Sequence, residues 1–227
     1  MSDEPSRSQA APRAAPMPRS SDQDPPPAGA LSLAGDHLLV RTGVEGVYAR
    51  TELHETLTGR LRAYIARWRP AGAETLAIPP LMSRSVVERS GYVTSFPNLL
   101  GCVCALHSAD AQRVASADQG GPGANWTEGL RPTDFVLTPA ACYPIYPLVA
   151  ARGALPRGGL TFDVEADCFR NEASTSLSRL RSFRMREFVC LGAFSDVAAF
   201  RDAWIARALD MAGELALPAR VEPANDP

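Results

Sequence analysis

GLTFDVEADCFRNEASTSLSRLRSFRMREFVCLG, residues 159–192, decides the architecture. Its first part, 159–172, alternates apolar and polar residues as a strand does, and RSFRMREFVCLG at 181–192 does the same. The eight residues between them, 173–180, are Ala, Ser, Thr, Leu and Arg. Two such runs across a short polar connection predict a long antiparallel hairpin. Strand parity then sorts the side chains. Cys168, Arg170 and Glu172 share one face of the first strand. On the second, Met185, Glu187 and Val189 share one face, and Arg184, Arg186 and Phe188 the other. From Arg170 to Glu187 the charge is lopsided: Arg170, Arg179, Arg181, Arg184 and Arg186 stand against Glu172 and Glu187, in a chain whose net charge is −2. That local excess reads as an anion site, because an arginine held straight by a sheet forks onto phosphate oxygens with two parallel hydrogen bonds. Beside it stands the plainer reading that Arg170 pairs with Glu172 or Glu187 to hold the sheet together.

Upstream of the hairpin, TDFVLTPA at 133–140 reads as a strand running into AACYPIYPLVAARG, where Pro144 suits a first helical turn. ETLAIPP at 74–80 and NLLGCVCALH at 98–107 are further strands. From a possible N-cap at Thr51, the residues Leu53, Leu57, Leu61, Tyr64, Ile65 and Trp68 recur at helical spacing, ended by Pro70 and Gly72. LMSRSVVERSG predicts a short helix closed by Gly91. Ser195 or Asp196 is placed to cap a last helix carrying Val197, Phe200, Trp204, Ile205 and Leu209. Helices interleaved with antiparallel strands give an α+β class. There is neither a glycine-rich dinucleotide turn nor a P-loop, so a nucleotide would be held by another design.

Composition narrows the field. A 45% hydrophobic share with 21% charged residues suits a soluble protein, and no run reaches the roughly 18 apolar residues of a spanning helix, so a cytoplasmic location and no membrane partner are expected. Residues 1–30, rich in Pro, Ser and Ala, are expected to form a disordered arm, leaving 31–227 as the folded domain. The slightly acidic balance disfavours a nucleic-acid partner and leaves a compact phosphorylated ligand for the arginines. Five cysteines without a CxxC pair read as reduced thiols. Cys142 sits just past a strand, where a side chain can enter a cleft; most lone cysteines are core, and His37, His54 and His107 lie far upstream, with no sign of a Cys–His pair.

FRNEAS followed by a loop and FRMREF resembles motif 2 of the class II aminoacyl-tRNA synthetases. The fuller pattern TPAACYPIYP…LTFDVEADCFRNEAS…SRLRSFRMREFV is similar to the amino acid:carrier-protein ligases, small homologs of the atypical zinc-dependent seryl-tRNA synthetases. The resemblance covers roughly residues 31–227 and implies a partial class II synthetase-like catalytic domain, an antiparallel sheet flanked by helices. Members of that family continue past the end of this sequence, so the motif 3 part is expected to be lacking. The resemblance implies that Arg170 is catalytic, contacting the ATP α-phosphate, that Glu172 orients the nucleotide, and that Arg179 and Leu180 belong to the loop that folds across it. It implies Cys142 and Glu187 as the first two zinc ligands, the zinc taking the substrate's α-amino group. The cofactors so implied are Zn2+ in an incomplete site and ATP with Mg2+. The implied reaction activates a small amino acid, glycine or alanine, as its adenylate and passes it to the phosphopantetheine thiol of a carrier protein. The segment 51–69 and AIPPLMSRSVVERSGYV resemble the motif 1 region and imply a homodimer; no tRNA-binding arm is seen. The 227-residue chain is expected to turn over ATP barely above background. Two alternatives stand beside this: an inactive or regulatory paralog that binds a carrier protein or a full-length protomer, and a seryl-tRNA synthetase-like enzyme.

Overall fold

The computed structural model describes residues 37–109, 111–112, 126–172 and 176–223; the expected arm at 1–30 lies outside them. Its elements run β1 (Leu39–Arg41), β2 (Tyr48–Arg50), α1 (Glu52–Ala66), β3 (Glu74–Ile78), β4 (Leu81–Ser83), α2 (Arg84–Arg89), α3 (Tyr92–Ser95), β5 (Cys102–Leu106), β6 (Leu130–Leu137), α4 (Ile145–Ala150), β7 (Leu160–Phe169), β8 (Ser182–Leu191) and α5 (Phe194–Glu214).

The hairpin forms as its alternation predicts. β7 and β8 pair antiparallel in unbroken register from Leu160 opposite Leu191 to Phe169 opposite Ser182. The expected strand ran on to 172, but the ladder stops at Phe169, and Arg170 and Glu172 lie in the connection beyond it. β3 lies on the other side of β7 and runs parallel to it, with Glu74 opposite Phe162 and Ile78 opposite Ala166. The sheet is therefore mixed. A parallel neighbour needs a long crossover, and the chain between β3 and β7 provides one. β4, β6 and β5 make a separate antiparallel sheet. Thr138 ties the two together: its N–H donates to the Pro80 carbonyl at 2.9 Å, and its carbonyl accepts from the Phe169 N–H at 2.9 Å.

The two faces of β7 are chemically different. Phe162, Val164, Ala166 and Cys168 are buried against Ala141, Ile145 and Val149, with Met185 and Val189 of β8 completing the cluster. The opposite face is an acidic row, Asp163, Glu165 and Asp167, directly across from Phe188, Arg186 and Arg184. Arg186 spans both oxygens of the buried Asp163 carboxylate at 2.8 and 2.7 Å, and Arg69 reaches the same carboxylate at 2.6 Å. Arg184 pairs with Glu55 of α1 at 3.2 Å, and Arg62 of α1 pairs with Glu165. Two of the five arginines that read as an anion site, Arg184 and Arg186, are thus committed to holding α1 against the sheet.

Thr51 caps α1, its hydroxyl accepting from the His54 N–H at 3.3 Å. Leu53, Leu57 and Leu61 remain about half exposed on α1, so they are not intramolecular core. The last helix begins earlier than its capping residues predict: Ala193 is the N-cap and makes no side-chain cap, while Ser195 and Asp196 fall in the first turn. Its Trp204 stacks on Phe188 with ring centroids 4.5 Å apart, which seats the helix on the hairpin. Among the described residues no helix is long and apolar enough to cross a membrane.

Candidate functional site

Arg170 leaves the end of β7 with its backbone N–H on the Arg181 carbonyl, 2.9 Å away, so the last hydrogen bond of the hairpin fixes its position. Its side chain is held in two further ways. Nε donates to the Pro139 carbonyl at 3.1 Å, and the guanidinium lies over the Phe183 ring, 5.5 Å from its centroid. Neither Nη atom has a hydrogen-bond partner among the described residues. The guanidinium is therefore aimed and stacked while its outer donors stay open, the state required for binding an oxyanion without reorganisation.

Those donors line a cleft of about 480 Å³ together with Glu172, Leu177, Ser178, Arg179, Leu180 and Phe183. The four residues that the family resemblance nominates for nucleotide contact, Arg170, Glu172, Arg179 and Leu180, all line this one space. Glu172 does not pair with Arg170; it holds Arg179, with Arg179 Nη1 3.2 Å from its Oε2. Arg179 is otherwise mostly exposed. The charge excess that reads as an anion site contracts to Arg170 and Arg179. Two parts of the site were not nominated from sequence, the Pro139 carbonyl and the Phe183 ring; Arg181, counted in the anion cluster, instead donates its Nε to the Glu172 carbonyl at 3.0 Å. Of these two, Phe183 gives a sequence signal, by sharing a strand face with Met185 and Glu187. A larger, mainly apolar cavity of about 660 Å³ lies between α2 and α4, lined by Val86, Arg89, Tyr143 and Tyr146 among others. The smaller cleft is the one with the donors a phosphate needs.

Cys142 and Glu187 meet, but not as a metal site. Glu187 points into the core face of β8, and its Oε2 accepts the Cys142 backbone N–H at 2.7 Å. Burial, reinforced by the Glu187 charge, pushes the Cys142 thiol up to about 11. Cys168 on the adjoining strand is buried, its Sγ 4.0 Å from the Ala166 carbonyl, and burial pushes it up to about 12. Among the described residues no three His, Cys, Asp or Glu side chains gather into a group able to hold a metal ion, which overturns the expectation of Zn2+ at Cys142 and Glu187. The carboxylate that meets Cys142 there is already engaged by a backbone amide, which donates to it at 2.7 Å.

No protein-family model matches the chain. It is 52% identical over 211 residues to amino acid–(acyl-carrier-protein) ligase 1 of Bradyrhizobium diazoefficiens, an alignment covering 93% of this chain and 65% of that protein. It is 51% identical over 206 residues to ligase 2 of the same organism, covering 91% and 62%. The chain thus spans less than two thirds of the length of these relatives. Among solved structures it is similar to the M. kandleri seryl-tRNA synthetase in complex with A. aeolicus tRNASec, with a TM-score of 0.69 at 21% identity, covering 86% of this chain and 41% of that one. It is also similar to the RNA-binding domain of threonyl-tRNA synthetase from Cryptosporidium parvum Iowa II, with a TM-score of 0.59 at 14% identity, covering 81% and 42%. These likenesses show the fold: a class II synthetase-like α+β domain with a mixed sheet flanked by helices.

Proposed function

We propose, from the chain's homology to the amino acid–(acyl-carrier-protein) ligases, that its arginine cleft is the ATP side of an amino-acid-activating site. The observation that carries the reading is Arg170, pinned through Nε and the Phe183 ring with both Nη groups open on the cleft. In the proposed step a carboxylate oxygen of a small amino acid, glycine or alanine, attacks the α-phosphorus of ATP. A new P–O bond forms, the bond to the bridging oxygen breaks, and pyrophosphate leaves. Negative charge grows on the non-bridging α-phosphate oxygens, and Arg170 donates to them. Arg179, held by Glu172 at the cleft mouth, is assigned to the outer phosphates, and Leu180 to a wall beside the nucleotide. The phosphopantetheine thiol of a carrier protein then attacks the acyl carbon, AMP departs, and the thiol proton passes to solvent. The half-exposed Leu53, Leu57 and Leu61 of α1 support a homodimer in which that face is covered by a second copy.

ATP binding by the 227-residue chain, followed by titration calorimetry, is the direct test. Arg170→Ala is expected to weaken ATP by about 10- to 100-fold, the scale of a hydrogen-bond pair to a charged group. Binding that is unchanged in Arg170→Ala, or no binding by the unaltered chain, would overturn the assignment.

A further inference from the structure

We infer that Gly46 and Arg181 are positioning residues, which latch the β1–β2 turn to the neck of the β7–β8 connection and so set Arg170, Glu172 and Arg179 in place. The functional half of this inference rests on the ATP reading above.

Arg181 makes three hydrogen bonds that join two segments, the β1–β2 turn and residues 170–172. Its N–H donates to the Gly46 carbonyl at 2.8 Å, its carbonyl accepts the Arg170 N–H at 2.9 Å, and its Nε donates to the Glu172 carbonyl at 3.0 Å. Glu172 in turn carries Arg179 at 3.2 Å. Arg170 and Glu172 lie past the last strand pair; Asn171 between them donates its N–H to the Leu99 carbonyl at 2.9 Å, and Arg181 bonds Arg170 and Glu172 themselves. The turn that grips Arg181 is itself tied down. Thr42 Oγ1 donates to the Val47 carbonyl at 2.7 Å, closing the turn, and Arg50 of β2 reaches Asp167 of β7 at 3.1 Å.

Gly46 is needed there on two counts. Its φ is +74°, a conformation L side chains rarely adopt, and an added Cβ would stand 2.9 Å from Arg181 Cγ and 3.3 Å from the Arg181 backbone nitrogen. The same turn supplies its own control. Gly43 has φ +86°, yet an added Cβ there meets nothing within 4 Å. Alanine at either position carries the backbone strain, but only at 46 does it push on Arg181. Neither glycine lines the cleft, so any effect of Gly46 on nucleotide must travel through the neck.

The test compares Gly46→Ala, Gly43→Ala, Arg181→Ala and Arg181→Lys by residue-resolved amide hydrogen exchange and by ATP titration. In Gly46→Ala the Arg181 and Arg170 amides should exchange at least tenfold faster than in Gly43→Ala, and ATP should bind about tenfold more weakly, the scale of a displaced binding group. Arg181→Ala should weaken ATP similarly, and Arg181→Lys should stay within about threefold of the unaltered chain because its ammonium can still reach the Glu172 carbonyl. Equal exchange in Gly46→Ala and Gly43→Ala overturns the latch. Faster exchange with unchanged ATP affinity overturns the positioning role and leaves the ATP reading standing. Faster exchange in a protein that never binds ATP, even unaltered, removes the ATP reading and the functional half with it, and keeps the mechanical latch. If Gly46→Ala fails to fold, the two Arg181 variants decide: equal ATP affinity in both overturns the positioning role.

Discussion

Cys142 shows how far a single residue's chemistry depends on what folds next to it. In the sequence it is a thiol past a strand; in the fold it is a half-buried thiol beside a carboxylate, pushed up to about 11. At pH 8 a group of that kind is about one part in a thousand thiolate, so nucleophilic work at neutral pH is closed to it. Alkylation by iodoacetamide, followed cysteine by cysteine in a mass spectrometer, should label the exposed Cys102 and Cys104 first. Labelling of Cys142 should rise about tenfold per pH unit between pH 7 and 9. Rapid, pH-independent labelling of Cys142 would contradict the protonated thiol. The family resemblance marked Cys142 and Glu187 as a pair, and they do lie together. It carried no sign that a backbone amide would take the carboxylate, because that contact depends on the turn after β6.

Among the elements, the hairpin was the most legible, and the burial of its charges the least. Period-two alternation gives strands and their faces, and β7 and β8 follow it over the paired residues, though not on to Arg170 and Glu172. Weighing charge over 170–187 alone left out the acidic row at 163, 165 and 167, which the register sets against Arg186 and Arg184. The direction of β3 was not legible either, since alternation is the same for parallel and antiparallel strands. Asp163 is the centre of the row. Burial raises its pKa, but hydrogen bonds from Arg186 and Arg69 outweigh that and hold the carboxyl below its usual range. Asp163→Asn leaves the shape and removes the charge that compensates Arg186, and is expected to cost about 3 kcal/mol or more in urea unfolding. The stabilisation is complete above the unfolded-state value of about 3.9 and is lost as pH falls through the lower folded value. The acid limb of the stability curve should therefore be flatter in Asp163→Asn. An equally steep limb in both proteins would assign acid sensitivity to other carboxylates.

At the scale of the molecule, the α1 face yields a plain expectation. Sedimentation equilibrium at micromolar concentration should return a dimer, and Leu57→Asp should shift it to monomer with the melting temperature of the dilute protein unchanged. A monomer at all concentrations would remove the homodimer. The apolar spacing of α1 was visible in the sequence, but whether a stripe faces its own sheet or something else is decided by the opposite flank, where Glu55 and Arg62 bind the acidic and basic row. One feature of the sheet order also governs how the protein behaves on the bench. β8 is hydrogen-bonded to β7 on one side, and among the described residues no strand lies along the other, so the outward-pointing amides and carbonyls of every second residue of this ten-residue strand form a ready template. Solutions stored concentrated should cloud after a lag that shortens with protein concentration and with seeding, and the growing material should bind thioflavin. Dilute storage slows this ageing, and arginine in the buffer is a sensible first additive to screen.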